Sequence, residues 1–154
     1  MREVVGDIWS FHPASYVVIP TNIGYTKEGA NVMGAGVAKQ AAAKFPGLAD
    51  WYGSMCQRYG AATPVITVVQ RHLILFPVKP LNPEAPWLSW KFYASLELIK
   101  RSAAELEATE FMDGEEVAVP LVGCGNGKLK ESSVFPILRR YLSHNRFFLV
   151  RQPL

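Results

Sequence analysis

Short runs of apolar residues alternate along this chain with stretches of helical periodicity, and this alternation constrains the fold more than any other feature. In the run Tyr16-Val17-Val18-Ile19 every side chain is apolar. Successive side chains of a strand point to opposite faces of a sheet, so such a run is typical of a strand covered on both faces. The alternation therefore predicts an α/β fold, a three-layer α/β/α sandwich.

The same patterns predict the individual elements. Strands are predicted at 3–5, 16–20, 65–69, 72–76, 116–120 and 147–151, and helices at 32–45, 48–59, 89–109 and 132–143. Only Gln70 and Arg71 separate the third and fourth strands. Because a link of two residues permits only antiparallel pairing, the sequence predicts a mixed sheet of about six strands.

Size and composition narrow the class of protein. The 154 residues fit one domain, 1–154, and the formal net charge of +3 is too small to indicate nucleic acid by itself. Two cysteines, Cys56 and Cys124, exclude a disulfide scaffold, and the three histidines form no metal motif. No apolar run is long enough to span a membrane. We therefore expect a cytoplasmic monomer without a metal or a cofactor.

Two glycine-rich stretches carry the strongest functional signal. The first, at 29–38, follows the apolar strand and opens a helix, with Gly34 and Gly36 leaving the backbone accessible. Backbone N–H groups at a helix N-terminus form a site for anions. The second, at 122–129, follows the strand 116–120 and has glycine at 123, 125 and 127, a spacing that lets successive amides converge on a phosphate. Together they predict a ligand with two phosphates, or with a phosphate and a sugar.

Two common nucleotide motifs do not fit these stretches. A dinucleotide-binding G-x-G-x-x-G is excluded because Lys39 stands where the third glycine would follow Gly34 and Gly36. A P-loop is excluded because Val122 occupies its first glycine position and Leu129 replaces its Ser or Thr. The alternative for each stretch is a pair of tight turns without a ligand.

The quoted residues resemble a macro domain, the α/β/α module that binds ADP-ribose. The similarity runs almost end to end, through Val5-Gly6-Asp7-Ile8, Asn31-Val32-Met33-Gly34-Ala35-Gly36-Val37-Ala38 and Gly123-Cys124-Gly125-Asn126-Gly127. It is strongest for the branch of terminal ADP-ribose glycohydrolases and of antitoxins that remove ADP-ribose from DNA. In the protein-glutamate branch an aspartate stands where this chain has Gly127, which favours the DNA-type enzymes.

The resemblance assigns roles to particular residues. It implies the following ADP-ribose-binding residues: Asp7, Ile8, Asn22, Asn31, Met33, Gly34, Ala35, Gly36, Val37, Val122, Gly123, Cys124, Gly125, Asn126 and Gly127. Asp7 would accept a hydrogen bond from the adenine amino group, and Asn22 would reach the distal ribose. An aromatic residue of the last strand, Phe147 or Phe148, would line the adenine pocket unless both belong to the core. Trp87 and Trp90 would flank the substrate or anchor the following helix.

Lys79 is the catalytic candidate, together with Asn22. Lys79 stands in Pro77–Pro86, which has prolines at 77, 80, 83 and 86 and is predicted to be a stiff loop or a solvated connector. Phe76-Pro77-Val78-Lys79 resembles the antitoxin branch, in which a lysine in this context is needed for cleavage. The resemblance implies hydrolysis of an ADP-ribosyl linkage at C1″ of a macromolecule, DNA among the candidates. The alternatives are a non-catalytic reader of ADP-ribose and an ADP-ribose 1″-phosphate phosphatase.

Overall fold

Six strands form one mixed sheet in the computed structural model, which describes all 154 residues. The strands are β1 (Arg2–Val5), β2 (Tyr16–Asn22), β3 (Ile66–Val68), β4 (Leu73–Lys79), β5 (Val117–Val119) and β6 (Phe147–Arg151). Their order across the sheet is β1-β6-β5-β2-β4-β3. All neighbours pair in parallel except β3 and β4, which are antiparallel. The predicted mixed sheet is confirmed, as is the antiparallel pair across the short link.

Four helices cover the two faces of the sheet: α1 (Gly36–Lys44), α2 (Leu48–Tyr59), α3 (Leu96–Glu107) and α4 (Glu131–Tyr141). In β2, Tyr16 and Val18 belong to one buried cluster, which includes residues of α3 and α4. Val17 and Ile19 belong to the other, which includes residues of α1 and α2. Both faces of the strand are therefore covered, and the predicted three-layer α/β/α sandwich is confirmed.

Two predicted helices begin too early. The helix placed at 32–45 starts at Gly36, because residues 31–35 are not helical: Ala35 has an extended backbone, and the side chain of Asn31 is bonded to the end of β2. The helix placed at 89–109 starts at Leu96, where the Ser95 hydroxyl accepts a hydrogen bond from the Leu98 amide and caps the first turn. Residues 86–91 form a separate 3-10 helix.

The prediction of a loop from Pro77 onward is wrong for its first residues, because β4 continues through Pro77 to Lys79. Proline has no N–H to donate, so it removes a hydrogen bond from a strand that has a neighbour on each side. Here β3 pairs only with Leu73–Leu75, so β4 has a single neighbour beyond that point. A proline is tolerated in this edge-like segment, and Lys79 consequently stands at the end of a strand.

The four α-helices have 9 to 12 residues. None of them is long and apolar enough to cross a membrane.

Candidate functional site

A cleft of about 1330 Å³ opens where the five parallel strands end. Each of these strands brings a residue to its wall, at its carboxyl end or just beyond: Val5 from β1, Asn22 from β2, Lys79 from β4, Pro120 from β5 and Arg151 from β6. Ligands of open α/β sheets bind in this position, beyond the carboxyl ends of the strands. The cleft also includes both glycine-rich stretches, so the topology unites segments that are distant in sequence.

Lys79 and Asn22 stand side by side at one end of the cleft. They are partners in the register of β2 and β4, where an irregularity after Thr21 brings Asn22 opposite Lys79. The Lys79 ammonium donates a hydrogen bond to the Trp90 carbonyl at 2.7 Å, which directs a half-buried side chain along the cleft wall. The predicted catalytic pair is thus brought together in the structure.

The Asn22 side chain is fixed by the protein on both of its polar atoms. Its Nδ2 donates to the Val32 carbonyl at 2.8 Å, and its Oδ1 accepts from the Gly24 amide at 2.9 Å. The same Oδ1 accepts from Asn31 Nδ2 at 3.0 Å. Asn22 is only 7% exposed. Its position beside Lys79 is therefore set before any ligand binds.

The first glycine-rich stretch presents unbonded amides. The N–H groups of Gly36, Val37 and Ala38, in the first turn of α1, have no backbone acceptor. Gly36 has φ +57°, a conformation that glycine adopts without strain, and a Cβ there would meet nothing within 4 Å. The amides and the positive end of the helix dipole together favour an anion at this wall.

The second glycine-rich stretch is folded back on itself. The Gly123 carbonyl accepts from the Leu129 amide at 3.0 Å, and the Gly127 carbonyl accepts from the Ala94 amide at 2.9 Å. Gly123 has φ +75°, a conformation that favours glycine, and a Cβ there would lie 2.9 Å from Ile99 Cδ1. The amides of Gly125, Asn126 and Gly127 have no backbone acceptor. This arrangement supplies several donors to one phosphate-bearing ligand.

Few ionisable groups line the cleft. Its charged side chains are those of Lys79, Glu131 and Arg151. Burial, and secondarily the charge of Lys128, lowers the pKa of Lys79. Burial and the charge of Glu131 raise the pKa of the Cys124 thiol, which keeps it protonated. The lysine is thus shifted toward its reactive neutral form and the cysteine away from its reactive thiolate.

Most of the predicted site residues line the cleft: Asn22, Gly34, Ala35, Gly36, Val37, Lys79, Gly123, Cys124, Gly125, Asn126 and Gly127. Asp7, Ile8, Asn31, Met33 and Val122 are not part of its lining.

The five residues outside the lining make contacts within the protein, and their contacts with ADP-ribose remain predictions from the resemblance. The Asp7 carboxylate is exposed and accepts from the Trp9 amide at 3.0 Å, which caps a 3-10 helix at Ile8–Phe11. Ile8, Met33 and Val122 are buried and belong to the core. Asn31 holds the end of β2, as described above. A contact of Asp7 with adenine remains a prediction from the resemblance.

Neither aromatic residue of β6 reaches the cleft. Phe147 is 3% exposed and Phe148 is 1% exposed, and they lie in the clusters on opposite faces of the sheet. The Phe148 ring packs edge-on against Phe11 at 5.1 Å between ring centres. The alternative that both belong to the core is correct, and Trp90 is the aromatic residue that lines the cleft.

Sequence reasoning missed Arg151 and Glu131. Arg151 Nε lies 2.7 Å from Glu3 Oε1, and Arg151 Nη1 lies 2.5 Å from Glu131 Oε1. Hydrogen bonds to these two carboxylates raise the pKa of Arg151. The residues are far apart in the chain and belong to no motif. Only their common position at one edge of a parallel sheet could have indicated the contact.

Comparison of the sequence with protein-family models and with curated proteins gives no match. Solved structures do match. Thermosipho africanus DarTG in complex with ADP-ribose has a TM-score of 0.72 at 23% identity, over 99% of this chain and 42% of that one. The macrodomain of Mycobacterium tuberculosis DarG has a TM-score of 0.72 at 24% identity, over 99% and 97% of the two chains. The macrodomain of Thermus aquaticus DarG gives 0.72 at 23%, over 99% and 97%.

These likenesses, with the sheet order and the two glycine-rich stretches, show that the chain has the macrodomain fold. Within that fold its structure is close to the macrodomains of DarG. The chain spans nearly the whole of the two DarG macrodomains but less than half of the Thermosipho DarTG chain.

Proposed function

We propose that this protein binds ADP-ribose and hydrolyses an ADP-ribosyl linkage at C1″. The observation that carries the proposal is the pairing of Lys79 with Asn22 at one end of a cleft whose middle is lined by unbonded amides. The similar Thermosipho structure is a complex with ADP-ribose. A ligand held by its diphosphate at the glycine-rich stretches would extend its distal ribose toward β2 and β4.

The diphosphate is the part of ADP-ribose that the cleft is best equipped to hold. Amides from 36–38 and from 125–127 can donate to its oxygens from two sides. Hydrogen bonds to a charged acceptor contribute about 1.5–3 kcal/mol each, more than those between neutral groups. We therefore expect micromolar affinity for ADP-ribose, about −8 kcal/mol, with the diphosphate as its main source.

Lys79 is the group proposed to act on C1″. An amine of lowered pKa is more often neutral near pH 7 than an ordinary lysine, and only a neutral amine has the lone pair needed for a nucleophile or a base. As nucleophile it would attack C1″ of the opened ribose, release the macromolecule and leave an imine, which water hydrolyses to ADP-ribose. As base it would deprotonate a group at C1″ or a water. Asn22 orients the ribose in either case.

The surface beside Lys79 favours DNA as the macromolecule that carries ADP-ribose. Trp87, Trp90 and Tyr93 are 40%, 43% and 69% exposed within seven consecutive residues, and Trp90 lines the cleft. Lys27 lies 5.5 Å from the Trp87 ring and Lys91 lies 5.4 Å from the Trp90 ring. Exposed aromatic side chains interleaved with lysines bind single-stranded nucleic acid by stacking with the bases and by attraction to the backbone.

The two alternatives receive less support. A phosphatase acting on ADP-ribose 1″-phosphate would use an acid or a histidine near the terminal phosphate. No histidine lines the cleft, and its one acidic side chain, Glu131, is ion-paired with Arg151. A reader would not need a lysine of lowered pKa beside Asn22. We retain the reader as the interpretation that an inactive but tightly binding protein would require.

A panel of three substrates tests the proposal. The protein is incubated with an ADP-ribosylated single-stranded oligonucleotide, an ADP-ribosylated protein and ADP-ribose 1″-phosphate, and the products are separated by chromatography. We expect release of ADP-ribose from the oligonucleotide fastest. Release of inorganic phosphate alone would support the phosphatase. Micromolar binding without any product would support the reader.

Trapping distinguishes the two roles of Lys79. Borohydride added during turnover reduces an imine to a stable secondary amine, so a nucleophilic Lys79 would appear in a digest as a modified peptide containing residue 79. A general base leaves no such product. The Lys79→Ala protein is the control, because any adduct that persists in it must come from another amine.

A further inference from the structure

Arg151 presents a fixed planar group to the cleft at the end opposite Lys79. Its guanidinium is bonded at Nε by Glu3 of β1 and at Nη1 by Glu131 of α4. Both carboxylates bind in the plane of the guanidinium, because its N–H groups lie in that plane. The side chain is 31% exposed and lines the cleft. These two ion pairs thus do not use the faces of the guanidinium.

Phe135 supports the same guanidinium. The Arg151 Cζ atom lies 5.4 Å from the centre of the Phe135 ring, which is itself half-buried in α4. A guanidinium held at its edge by carboxylates and packed against a phenyl ring has little freedom to move. Guanidinium groups stack well on flat aromatic rings. Arg151 therefore offers a ready stacking surface on the wall of the cleft.

The local charge argues against a phosphate at this position. Arg151 carries one positive charge and its two partners, Glu3 and Glu131, carry two negative charges, so the cluster has a formal charge of −1. A phosphate would be repelled by the two carboxylates that already bind the edge of the guanidinium. A neutral aromatic ring meets no such penalty, because stacking uses the face of the guanidinium and leaves both ion pairs intact.

The order of the strands places this surface at the correct end for a nucleotide base. Along the sheet the sequence is β6, β5, β2, β4, so Arg151 and Lys79 are three strand spacings apart, about 14 Å. The stretch 123–127 follows β5 and lies between them. Base, diphosphate and distal ribose follow in this order along ADP-ribose, which matches Arg151, 123–127 and Lys79.

Arg151 is the only aromatic or guanidinium side chain at that end of the cleft, whose lining also includes Gln152, Pro153 and Leu154 just after it. Phe147 and Phe148 are buried on the two faces of the sheet, and Trp90 lies beside Lys79 at the other end. The neighbouring cleft residues of β1 and β6, Val5 and Val150, offer only aliphatic contacts. Arg151 is thus the one planar group that these two strands contribute to the cleft.

We propose that Arg151 stacks with the purine base of the bound nucleotide and that Glu3, Glu131 and Phe135 hold it in the stacking orientation. The proposal rests on the binding of ADP-ribose proposed above and adds the residue that recognises its base.

The test is the dissociation constant of ADP-ribose, measured by calorimetry for a set of variants. Arg151→Ala should weaken binding about tenfold, the scale of one base stacked on a planar side chain. Arg151→Lys keeps the charge but not the plane, and should lose as much. Arg151→Tyr keeps a plane without the charge and should recover most of the affinity. Arg139→Ala is the matched control, because Arg139 also lies over the Phe135 ring, at 5.7 Å, but outside the cleft.

The opposite pattern would overturn the proposal. If Arg151→Lys binds like the wild type and Arg151→Tyr does not, Arg151 contacts a phosphate; if Arg151→Ala binds normally, it contacts nothing. The result is independent of turnover. A protein that is inactive but whose affinity depends on Arg151 would contradict the proposed hydrolase activity and support the stacking role of Arg151. A protein that is active but whose affinity does not depend on Arg151 would support the hydrolase activity and contradict the stacking role.

A measurement on the wild type guards against variants that fail to fold. The Arg151 Nε–H resonance should shift on addition of AMP, through the ring current of the base, and should stay in place on addition of ribose 5-phosphate. Equal shifts with both compounds, or none with AMP, would also overturn the proposal.

Discussion

The Lys79 end of the cleft and its middle present functional groups of two different kinds. At the Lys79 end, side chains provide the functional groups, and the protein has already bonded them: Lys79 to the Trp90 carbonyl, and Asn22 to Val32 and Gly24. In the middle, the backbone provides them, and the amides of 36–38 and 125–127 have no backbone acceptor. A pre-bonded group keeps its position without a ligand, whereas an unbonded donor gains a partner only when a ligand binds.

Affinity and turnover should therefore depend on different parts of the cleft. The free energy of binding should come mainly from the amides, because they exchange solvent for a diphosphate. The Lys79 end should contribute little to affinity and much to the rate, because its groups are oriented for a reaction. Substitutions at the two places should therefore separate the dissociation constant from the turnover number.

The largest separation is expected for Lys79→Ala. Loss of an acid–base group typically lowers the rate by about a hundredfold or more, while the ADP-ribose dissociation constant should change little. Lys79→Arg should not restore the rate, because a guanidinium remains protonated. Single-turnover rates on the ADP-ribosylated oligonucleotide and calorimetry with ADP-ribose give the two numbers. Lys100→Ala, an exposed lysine of α3, is the control. Full activity of Lys79→Ala would place the chemistry elsewhere.

Gly125→Glu should affect the other quantity, the dissociation constant of ADP-ribose. A Cβ at this position meets nothing within 4 Å, so the fold should tolerate the change. The new carboxylate would face the diphosphate, and like charges 4 Å apart repel by about 4 kcal/mol at an effective dielectric constant of about 20. Affinity for ADP-ribose should fall about a hundredfold or more by calorimetry.

The neutral variant Gly125→Gln separates size from charge, since its side chain has the same length. It should lose clearly less affinity than Gly125→Glu. Equal losses in the two variants would mean that bulk and not charge blocks the site, and unchanged binding in both would show that the diphosphate lies elsewhere.

Asn22→Ala should lower both affinity and turnover, because Asn22 serves both regions of the cleft. Asn22 lines the cleft, but its side chain also joins β2 to the backbone of the first glycine-rich stretch through Val32. Leaving the Val32 carbonyl and the Gly24 amide unpaired should lower the free energy of unfolding by about 2–3 kcal/mol. We expect affinity and turnover to fall about tenfold each. Asn22→Asp keeps the bond from the Gly24 amide but turns a carboxylate oxygen toward the Val32 carbonyl, so it should lose at least as much stability. A fully stable Asn22→Ala would contradict this account.

The core of the fold could be predicted because apolar strands leave a local signal. The run 16–19 indicates burial on both faces whatever its neighbours are, and the link at 70–71 restricts the pairing of its two strands. The predicted start of α1 is wrong because residues 31–35 are not helical, and the side chain of Asn31 is bonded to the distant end of β2. Pro77 was placed in a loop because the shortness of β3, which permits it in a strand, cannot be seen locally.

In the site, too, the features with a local sequence signal could be predicted and those that depend on distant contacts could not. The glycine-rich stretches were predictable because their function resides in the backbone, and glycine spacing reports on the backbone directly. The cluster of Glu3, Glu131 and Arg151 was not, because it depends on the strand order that brings β1 beside β6 and on the position of α4 next to them. Phe147 and Phe148 show the converse: the resemblance suggested an aromatic lining, and the alternation of strand faces buries both.

The smallest effect expected is electrostatic and comes from Lys128. Its charge, together with burial, lowers the pKa of Lys79, so removing it should raise that pKa. At neutral pH less Lys79 would then be neutral, and the rise of turnover with pH should move to higher pH. Lys128 has φ +64°, so Lys128→Asn removes the charge with a residue that tolerates this conformation. Turnover at neutral pH should fall about twofold to fourfold, the scale of exposed charge interactions.

Salt and a neighbouring lysine make this last prediction specific. The gap between wild type and Lys128→Asn should narrow as ionic strength rises, because counterions screen the Lys128 charge already in the wild type. Lys130→Asn removes another exposed charge two residues further on, and should leave the pH profile of turnover in place. A profile that moves to lower pH in Lys128→Asn would contradict the sign of the effect. An unchanged profile would mean that burial alone lowers the pKa of Lys79. The reactivity of Lys79 would then depend on its own end of the cleft and not on the charge that follows the second glycine-rich stretch.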